Sequence, residues 1–327
     1  MPEQISDFYF FRDTHPNLRL GTASDRYAGW IGQIYTEGKY EIATRSHKIG
    51  NKSFKEEILP IESVAEYFEH FSVLEIDFTF YMPLLDHKLE PTSNYKLLQS
   101  YNKYLRERDY LILKVPQVIF ARTLWQGGKQ VVNKNYLNPE MFINRFYDPA
   151  NAVLGDNIAG FVFEQEYHRK AERIPPKQYV EDLDNFFASL PKDKRYHLET
   201  RTDYYHTHQY FDMLYKRGIG HVLSHWTWLP TLWKQFTKAG KSFYNSGKQS
   251  IIRLLTPLKM SYNDSYIRTF PFNKVVPDLI PPETVKETVE IIKAGKNDGV
   301  TTNVILNNRI NGNAPTLAQE IYKYFGN

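Results

Sequence analysis

Short hydrophobic runs rich in β-branched and aromatic residues alternate with longer amphipathic stretches over the whole chain. This repeated pattern predicts strand-helix units and a parallel sheet. We predict eight strands, at residues 18–23, 73–78, 110–115, 160–165, 196–200, 220–224, 250–255 and 302–306. Eight is the number that closes a (β/α)₈ barrel, so the expected fold class is α/β with a TIM-like barrel.

Between the predicted strands, hydrophobic residues recur three or four positions apart, which predicts helices that pack one face on the sheet. The clearest faces are Ile61, Val64, Ala65 and Phe68, then Tyr179, Val180, Leu183, Phe186 and Phe187, and finally Leu317, Ala318, Ile321 and Phe325. Two proline pairs, Pro175-Pro176 and Pro281-Pro282, are suited to helix starts because the first turn leaves its amides unpaired.

Three segments exceed ordinary loop length, at residues 35–59, 119–140 and 257–280. Each follows a predicted strand, so in a barrel all three insertions would lie over the carboxyl-terminal face. In the second, Gly127-Gly128 permits a flexible or tightly turned tip. The chain contains no internal repeat and no Gly/Ser linker, and we therefore predict one domain over residues 1–327.

Composition narrows the classes of protein. Hydrophobic residues make up 42% and charged residues 24%, as in ordinary globular proteins. Cysteine is absent, which excludes disulfide frameworks, thiolate zinc sites and a cysteine nucleophile. The first 20 residues lack a basic start followed by a long apolar run, and we predict a cytoplasmic protein without membrane contact. The net charge of +4 favours anionic ligands slightly and leaves nucleic acid open as a partner.

Charged residues follow the ends of several predicted strands. Alternation along an extended strand places Glu75, Asp77, Thr79 and Tyr81 on one side, and Glu199 and Arg201 on one side of another strand. Buried charges are costly alone, so we expect these acids and bases to meet inside the barrel mouth. The predicted group consists of Glu75, Asp77 and Glu199, balanced by Lys114, Arg201 and Arg253.

Two interpretations of that group remain open. It could be a purely structural network of ion pairs, because such networks also occur in barrels without catalysis. Its position at the carboxyl ends of the strands favours a functional site, since that is where barrel enzymes place their catalytic residues.

Other candidates are less specific. His225 has the right pKa for a general base, but it could instead pack on Trp226. Asn307 and Asn308 could hold a ligand oxygen, or equally cap backbone groups at a turn. Nucleotide-cofactor motifs are absent from the sequence, while a divalent metal, with Asp77 as one ligand, stays open.

Glu164 and Glu166 follow the fourth predicted strand, where a glycosidase acid is often found. Alternation places them opposite Phe161, Phe163 and Gln165, and only one of these sets can point into the barrel.

These segments together resemble the YecE-like family, the domain of unknown function 72. The pattern begins with Gly21-Thr22-Ala23-Ser24, continues through VLEIDFTFYMP with Glu75, Thr79, Phe80 and Tyr81, and keeps its order through YLILKVPQ, FVFEQ, HLETR, SIIRLL and VILNNRINGNAPTLA. The matching polar residues include Lys114, Gln165, Glu199, Arg201, Arg253, Asn307 and Asn308. The resemblance implies a TIM-like barrel with the clustered charges as its site, but no established reaction.

The chain departs from the family pattern at three places. Asp77 stands where asparagine is usual, Asp25-Arg26 stands where Gly-Trp is usual, and Leu254-Leu255-Thr256 stands where His-Gly follows the arginine. If the missing histidine takes part in chemistry in other members, this member has lost or altered that activity.

The leading functional hypothesis is a hydrolase or lyase that acts on a small anionic ligand, such as a phosphorylated sugar or a nucleic-acid fragment. Lys114, Arg201 and Arg253 would hold the anion, and Glu75 or Glu199 would move a proton. A first alternative is a glycosidase-like pair of Glu75 and Glu199, separated by about 5 to 9.5 Å. A second is a non-catalytic protein that binds a ligand or nucleic acid through its aromatic-rich insertions.

Overall fold

A closed barrel of eight parallel strands forms the centre of the computed structural model, which describes residues 9–326. Strands and helices are numbered in chain order. The barrel strands, in order around the ring, are β1 (Leu18–Ala23), β4 (Val73–Ile76), β5 (Tyr110–Lys114), β8 (Ile158–Gln165), β9 (Tyr196–Thr200), β10 (Gly220–His225), β11 (Gln249–Leu254) and β12 (Thr301–Leu306). Parallel pairing of β12 with β1 closes the ring. The predicted α/β TIM-like barrel is confirmed.

Helices connect the strands and surround the barrel. They are α1 (Val64–His70), α2 (Ser93–Asn102), α3 (Gln117–Phe120), α4 (Pro139–Phe142), α5 (Asp148–Leu154), α6 (Pro176–Ala188), α7 (His208–Arg217), α8 (Leu232–Lys238), α9 (Tyr262–Thr269), α10 (Glu283–Asn297) and α11 (Ala314–Gly326). The residues at the helix ends explain where the helices begin and end. Helix α6 begins at Pro176, and the missing amide of proline loses no hydrogen bond there because amides of the first turn have no partner within the helix. In α7 the Thr207 hydroxyl accepts from the Tyr210 amide, and the left-handed Gly218 ends the helix.

The three long insertions follow β1, β5 and β11, and two of them contain hairpins that the sequence interpretation did not predict. β2 (Ala43–Ile49) pairs with β3 (Lys52–Ile58), and β6 (Thr123–Gln126) pairs with β7 (Lys129–Val132). Gly127-Gly128 forms the two-residue turn between β6 and β7, with positive φ at both positions. The tip is therefore tightly turned.

The core has two layers, which are separated by the strands. Inside the barrel, small and branched side chains fill the middle, namely Ala23, Val73, Ile112, Val162, Val222, Ile251 and Ile305. Aromatic side chains pack outside, where Phe163 contacts Phe142 and Phe187 with ring centroids 5.2 and 5.0 Å apart. This division leaves the carboxyl end of the barrel interior to polar residues. Over residues 9–326 we find no helix with the length and apolar character that crossing a membrane requires.

Candidate functional site

Arg253, on β11, joins three carboxylates inside the mouth of the barrel. Its Nη2 lies 2.6 Å from Oε1 of Glu75, and its Nη1 lies 3.1 Å from Oε2 of Glu164 and also contacts Oε2 of Glu199. Arg253 is 2% exposed, and Glu75 and Glu199 are fully buried. The guanidinium is the right shape for this position because its planar fork can donate to several carboxylates at once.

Glu164, on β8, is the most heavily paired acid of the group. Besides Arg253, it accepts from Lys114, whose Nζ lies 2.8 Å from Oε2, and from Arg201, whose Nη1 lies 2.8 Å from Oε1. Burial would raise the pKa of Glu164, but the three surrounding cations outweigh it and hold the pKa well below its usual range. Glu164 is therefore a fixed negative charge.

Glu199, on β9, is held from both sides. Arg201 lies on its Oε1 at 3.2 Å, Arg253 contacts its Oε2, and the Ser224 hydroxyl donates to Oε1 at 2.6 Å. These bonds occupy both oxygens of the carboxylate.

Glu75, on β4, differs from the other two buried acids. Only its Oε1 is bonded, whereas Oε2 is buried without a hydrogen-bond partner among residues 9–326. Burial, as the largest effect, raises the pKa of Glu75 to about 7, and the charge of Asp77 adds to the rise. Arg253 and Lys114 oppose it. The proton of Glu75 is therefore exchangeable near neutral pH, in contrast to that of Glu164.

Asp77 lies at the solvent side of the group, because β4 ends at Ile76 and a 3₁₀ turn over Phe78–Phe80 follows. Asp77 is 3.5 Å from Lys114 Nζ, with 38% of its side chain exposed. The sequence interpretation extended this strand through residue 78, and the alternation assumed beyond Ile76 is wrong. Thr79 supports the turn by donating to the carbonyl of Lys114 at 2.8 Å.

The same turn sets the positions of two aromatic side chains. The alternation assumed from Glu75 to Tyr81 would place Phe80 on the side opposite the charged residues, but Lys114 Nζ lies 4.2 Å from the centroid of its ring. Tyr81 is 71% exposed on the rim and contacts Phe80 edge-on, with centroids 5.6 Å apart.

Two other candidates point away from the charged group. Ser224 occupies the inward position on β10, so its neighbour His225 faces outward and its Nδ1 donates to the carbonyl of Thr256 at 2.8 Å. Burial lowers the pKa of His225. Gln165 is likewise outside, where its Oε1 accepts from the Thr202 amide at 3.2 Å.

The two asparagines after β12 bond to backbone and to a neighbouring ring. The side chain of Asn307 accepts from the Arg309 amide at 3.0 Å. Asn308 accepts from the Ala314 amide at 2.9 Å and from Trp30 Nε1 at 3.2 Å. Both are buried, and these bonds match the capping role that the sequence left as an alternative.

Two of the positions that depart from the family pattern, Asp25 and Leu255, are also buried. Asp25 accepts from the Tyr101 hydroxyl at 3.0 Å, and burial, opposed by Arg26, raises its pKa to about 6. Leu255 is 3% exposed, and its amide donates to the carbonyl of His225. In the part of the chain that the structure describes, no three His, Cys, Asp or Glu side chains form a group that could hold a metal ion.

Sequence reasoning missed the central role of Glu164. Its strand is buried on both faces, so hydrophobicity did not distinguish Glu164 from Gln165. The usable signal was side-chain size: Gly160 and Val162 fit the barrel interior, whereas Phe161 and Phe163 need the larger space among the helices.

Comparison with known proteins places this chain in a family. Residues 19–327 match the model described as "Protein of unknown function DUF72". Among solved structures, a DUF72 family protein from Enterococcus faecalis superposes with a TM-score of 0.58 at 14% identity, covering 95% of this chain and 96% of that one. One from Thermotoga maritima gives 0.55 at 14% identity, with 95% and 99% covered. Curated proteins provide no match. The chain belongs to the DUF72 family.

Proposed function

We propose that this protein is an acid-base enzyme, a hydrolase or a lyase, that binds a small anionic substrate at the barrel mouth. Glu75 is the proposed proton donor, and Lys114, Arg201 and Arg253 supply the positive charge. The unbonded Oε2 of Glu75 is the observation that supports this proposal most strongly. A buried carboxylate oxygen without a partner is costly, unless it carries a proton or meets a ligand.

Charge balance supports the protonated form. Four carboxylates, Glu75, Asp77, Glu164 and Glu199, lie among three cations. A proton on Glu75 makes the group neutral. A bound anion would add negative charge and favour that proton further, so the substrate would meet an acid.

Access to Glu75 is proposed to run past Lys114 and Asp77. At 3.5 Å theirs is the longest ion pair in the group, and Asp77 is the most exposed member. An anion could take the place of the Asp77 carboxylate beside Lys114. Arg201, which shares Glu164 with Lys114 and has 15% of its side chain exposed, would be its second cation. Fixed positive groups of this kind can stabilise charge that develops in a transition state.

The glycosidase alternative has less support. It requires Glu75 and Glu199 to face each other across an open cleft that holds the sugar. Here the two carboxylates share Arg253, and Glu199 is bonded to Arg201 and Ser224 as well. His225 and Gln165 are omitted from the proposed mechanism because their side chains face outward.

The test is calorimetric titration with sulfate, which does not itself titrate near neutral pH, in buffers of different ionisation enthalpy. We expect the protein to take up protons when sulfate binds above pH 7, and Glu75→Gln to bind sulfate without this uptake. Glu66→Gln is the matched control, because Glu66 is a buried carboxylate that accepts from Thr36 and lies on helix α1, outside the ring of strands. Absence of sulfate binding, or equal uptake in Glu75→Gln, would disprove the proposal.

A further inference from the structure

Three aromatic side chains form a surface beside the charged group. Trp226 and Trp228 follow the carboxyl end of β10, and Tyr167 follows that of β8. The Tyr167 ring lies 5.9 Å from Trp226 and 6.1 Å from Trp228, measured between centroids. Trp228 is 53% exposed, so packing inside the protein uses only about half of its surface. We call Tyr167, Trp226 and Trp228 the aromatic platform.

Arg201 connects this platform with the charged group. Its guanidinium carbon lies 5.0 Å from the centroid of Trp226, while its Nη1 holds Glu164 at 2.8 Å. The ion pairs with Glu164 and Glu199, together with the Trp226 ring, hold the guanidinium in place, and a cation that is ordered in advance binds an anion at lower entropic cost. The aromatic platform and the proposed anion site therefore share a residue.

The other side of the mouth repeats the same combination. Lys114 lies over Phe80 at 4.2 Å, and Arg309 lies over Tyr262 at 4.3 Å. Tyr262 is 46% exposed. Cations alternating with exposed rings are what proteins use to hold a phosphate and a base together, because bases stack on aromatic side chains whatever their sequence.

We propose that the anionic substrate is a nucleotide, an inference that rests on the proposed function. The phosphate binds at Lys114 and Arg201, and the base stacks on Trp228 and Tyr167. A plain sugar phosphate would use the cations but would leave the platform without a flat partner. A free nucleotide and the end of a single-stranded nucleic acid both present a phosphate next to a base.

The experiment measures the affinity of the full chain for ribose 5-phosphate, AMP, UMP and a five-nucleotide oligomer. We expect AMP and UMP to bind at least tenfold more tightly than ribose 5-phosphate, which corresponds to about 1.4 kcal/mol. Trp228→Ala should abolish this advantage while the affinity for ribose 5-phosphate stays the same. The control is Trp125→Ala, which removes another exposed tryptophan, 75% exposed on β6, and should change neither affinity.

The outcomes separate the two proposals. Tighter binding of the oligomer than of AMP identifies a strand end as the ligand, equal binding identifies a free nucleotide, and both support the inference. Equal affinity for AMP and ribose 5-phosphate, or equal losses for both in Trp228→Ala, overturns it while the anionic substrate stands. If no phosphate compound binds and sulfate causes no proton uptake, the proposed function fails as well.

Discussion

Arg253 and Glu75 stand 178 positions apart in the sequence, yet Nη2 of Arg253 lies 2.6 Å from Oε1 of Glu75 inside the barrel mouth. The two strands that carry them are not neighbours in the ring, since β1 and β12 lie between β4 and β11. Only closure of the barrel brings the two side chains together. The pair therefore links the fold directly to the candidate site.

Removal of Arg253 should destabilise the protein strongly. Arg253→Gln leaves Glu75, Glu164 and Glu199 buried with one cation fewer, and losing one partner of a buried pair costs about 3 to 5 kcal/mol. Urea unfolding at pH 8 measures the loss. Arg108→Gln is the control, because its pair with Asp13 is exposed and should contribute less than about 1 kcal/mol. A loss below 1 kcal/mol for Arg253→Gln would show that the network does not stabilise the barrel.

Gly21 is required where β1 pairs with β4. A Cβ at this position would stand 1.8 Å from the carbonyl oxygen of Val73, so the two strands would have to separate. Gly21→Ala should therefore lower the free energy of unfolding by about 3 kcal/mol or more, at or beyond the upper end of ordinary overpacking. Gly326→Ala meets no atom within 4 Å and should be neutral. Equal thermal stability of both variants would show that β1 and β4 do not pack as described.

His197 should make the protein sensitive to acid. It is fully buried at the amino-terminal side of the barrel interior, and burial lowers its pKa from 6.5 to about 4. Below pH 6.5 the unfolded chain therefore binds a proton that the folded protein resists, so stability falls as the pH falls. From pH 8 to pH 5 this effect amounts to about 2 kcal/mol.

His197→Gln provides the measurement, because the other buried histidines are common to both proteins. The difference in unfolding free energy between the wild type and His197→Gln should shrink by that amount on acidification. A constant difference over this range would mean that His197 titrates normally in the folded state.

Much of the fold follows from hydrophobic patterning, for reasons that particular residues illustrate. The bounds of the strand Leu18–Ala23 were predicted correctly because polar residues flank this apolar run. Ser24, directly after the strand, has a positive φ. The charged residues Lys114 and Arg253 were recognised because each lies in an otherwise apolar run near the end of its strand, and a lone charge there needs partners. The sequence itself therefore indicates a charged centre.

The remaining details depend on tertiary contacts that the pattern does not encode. β4 ends at Ile76 because the Thr79 hydroxyl turns back to carbonyl groups of Ile76 and Lys114, the second of which belongs to another strand. The side chain of Asn308 accepts a hydrogen bond from Trp30, which is 278 positions away. Partners so distant in sequence leave no local signal.

The protonation state of Glu75 is the most direct test of the proposed centre. Infrared difference spectra between the wild type and Glu75→Gln isolate the band of this protonated carboxyl over a pH titration. We predict that the band persists at mildly acidic pH and disappears with a midpoint near pH 7, since burial raises the pKa of Glu75 to about 7. A midpoint near the ordinary value of 4.5 would mean that Glu75 is a fixed anion and would contradict its proposed role as proton donor.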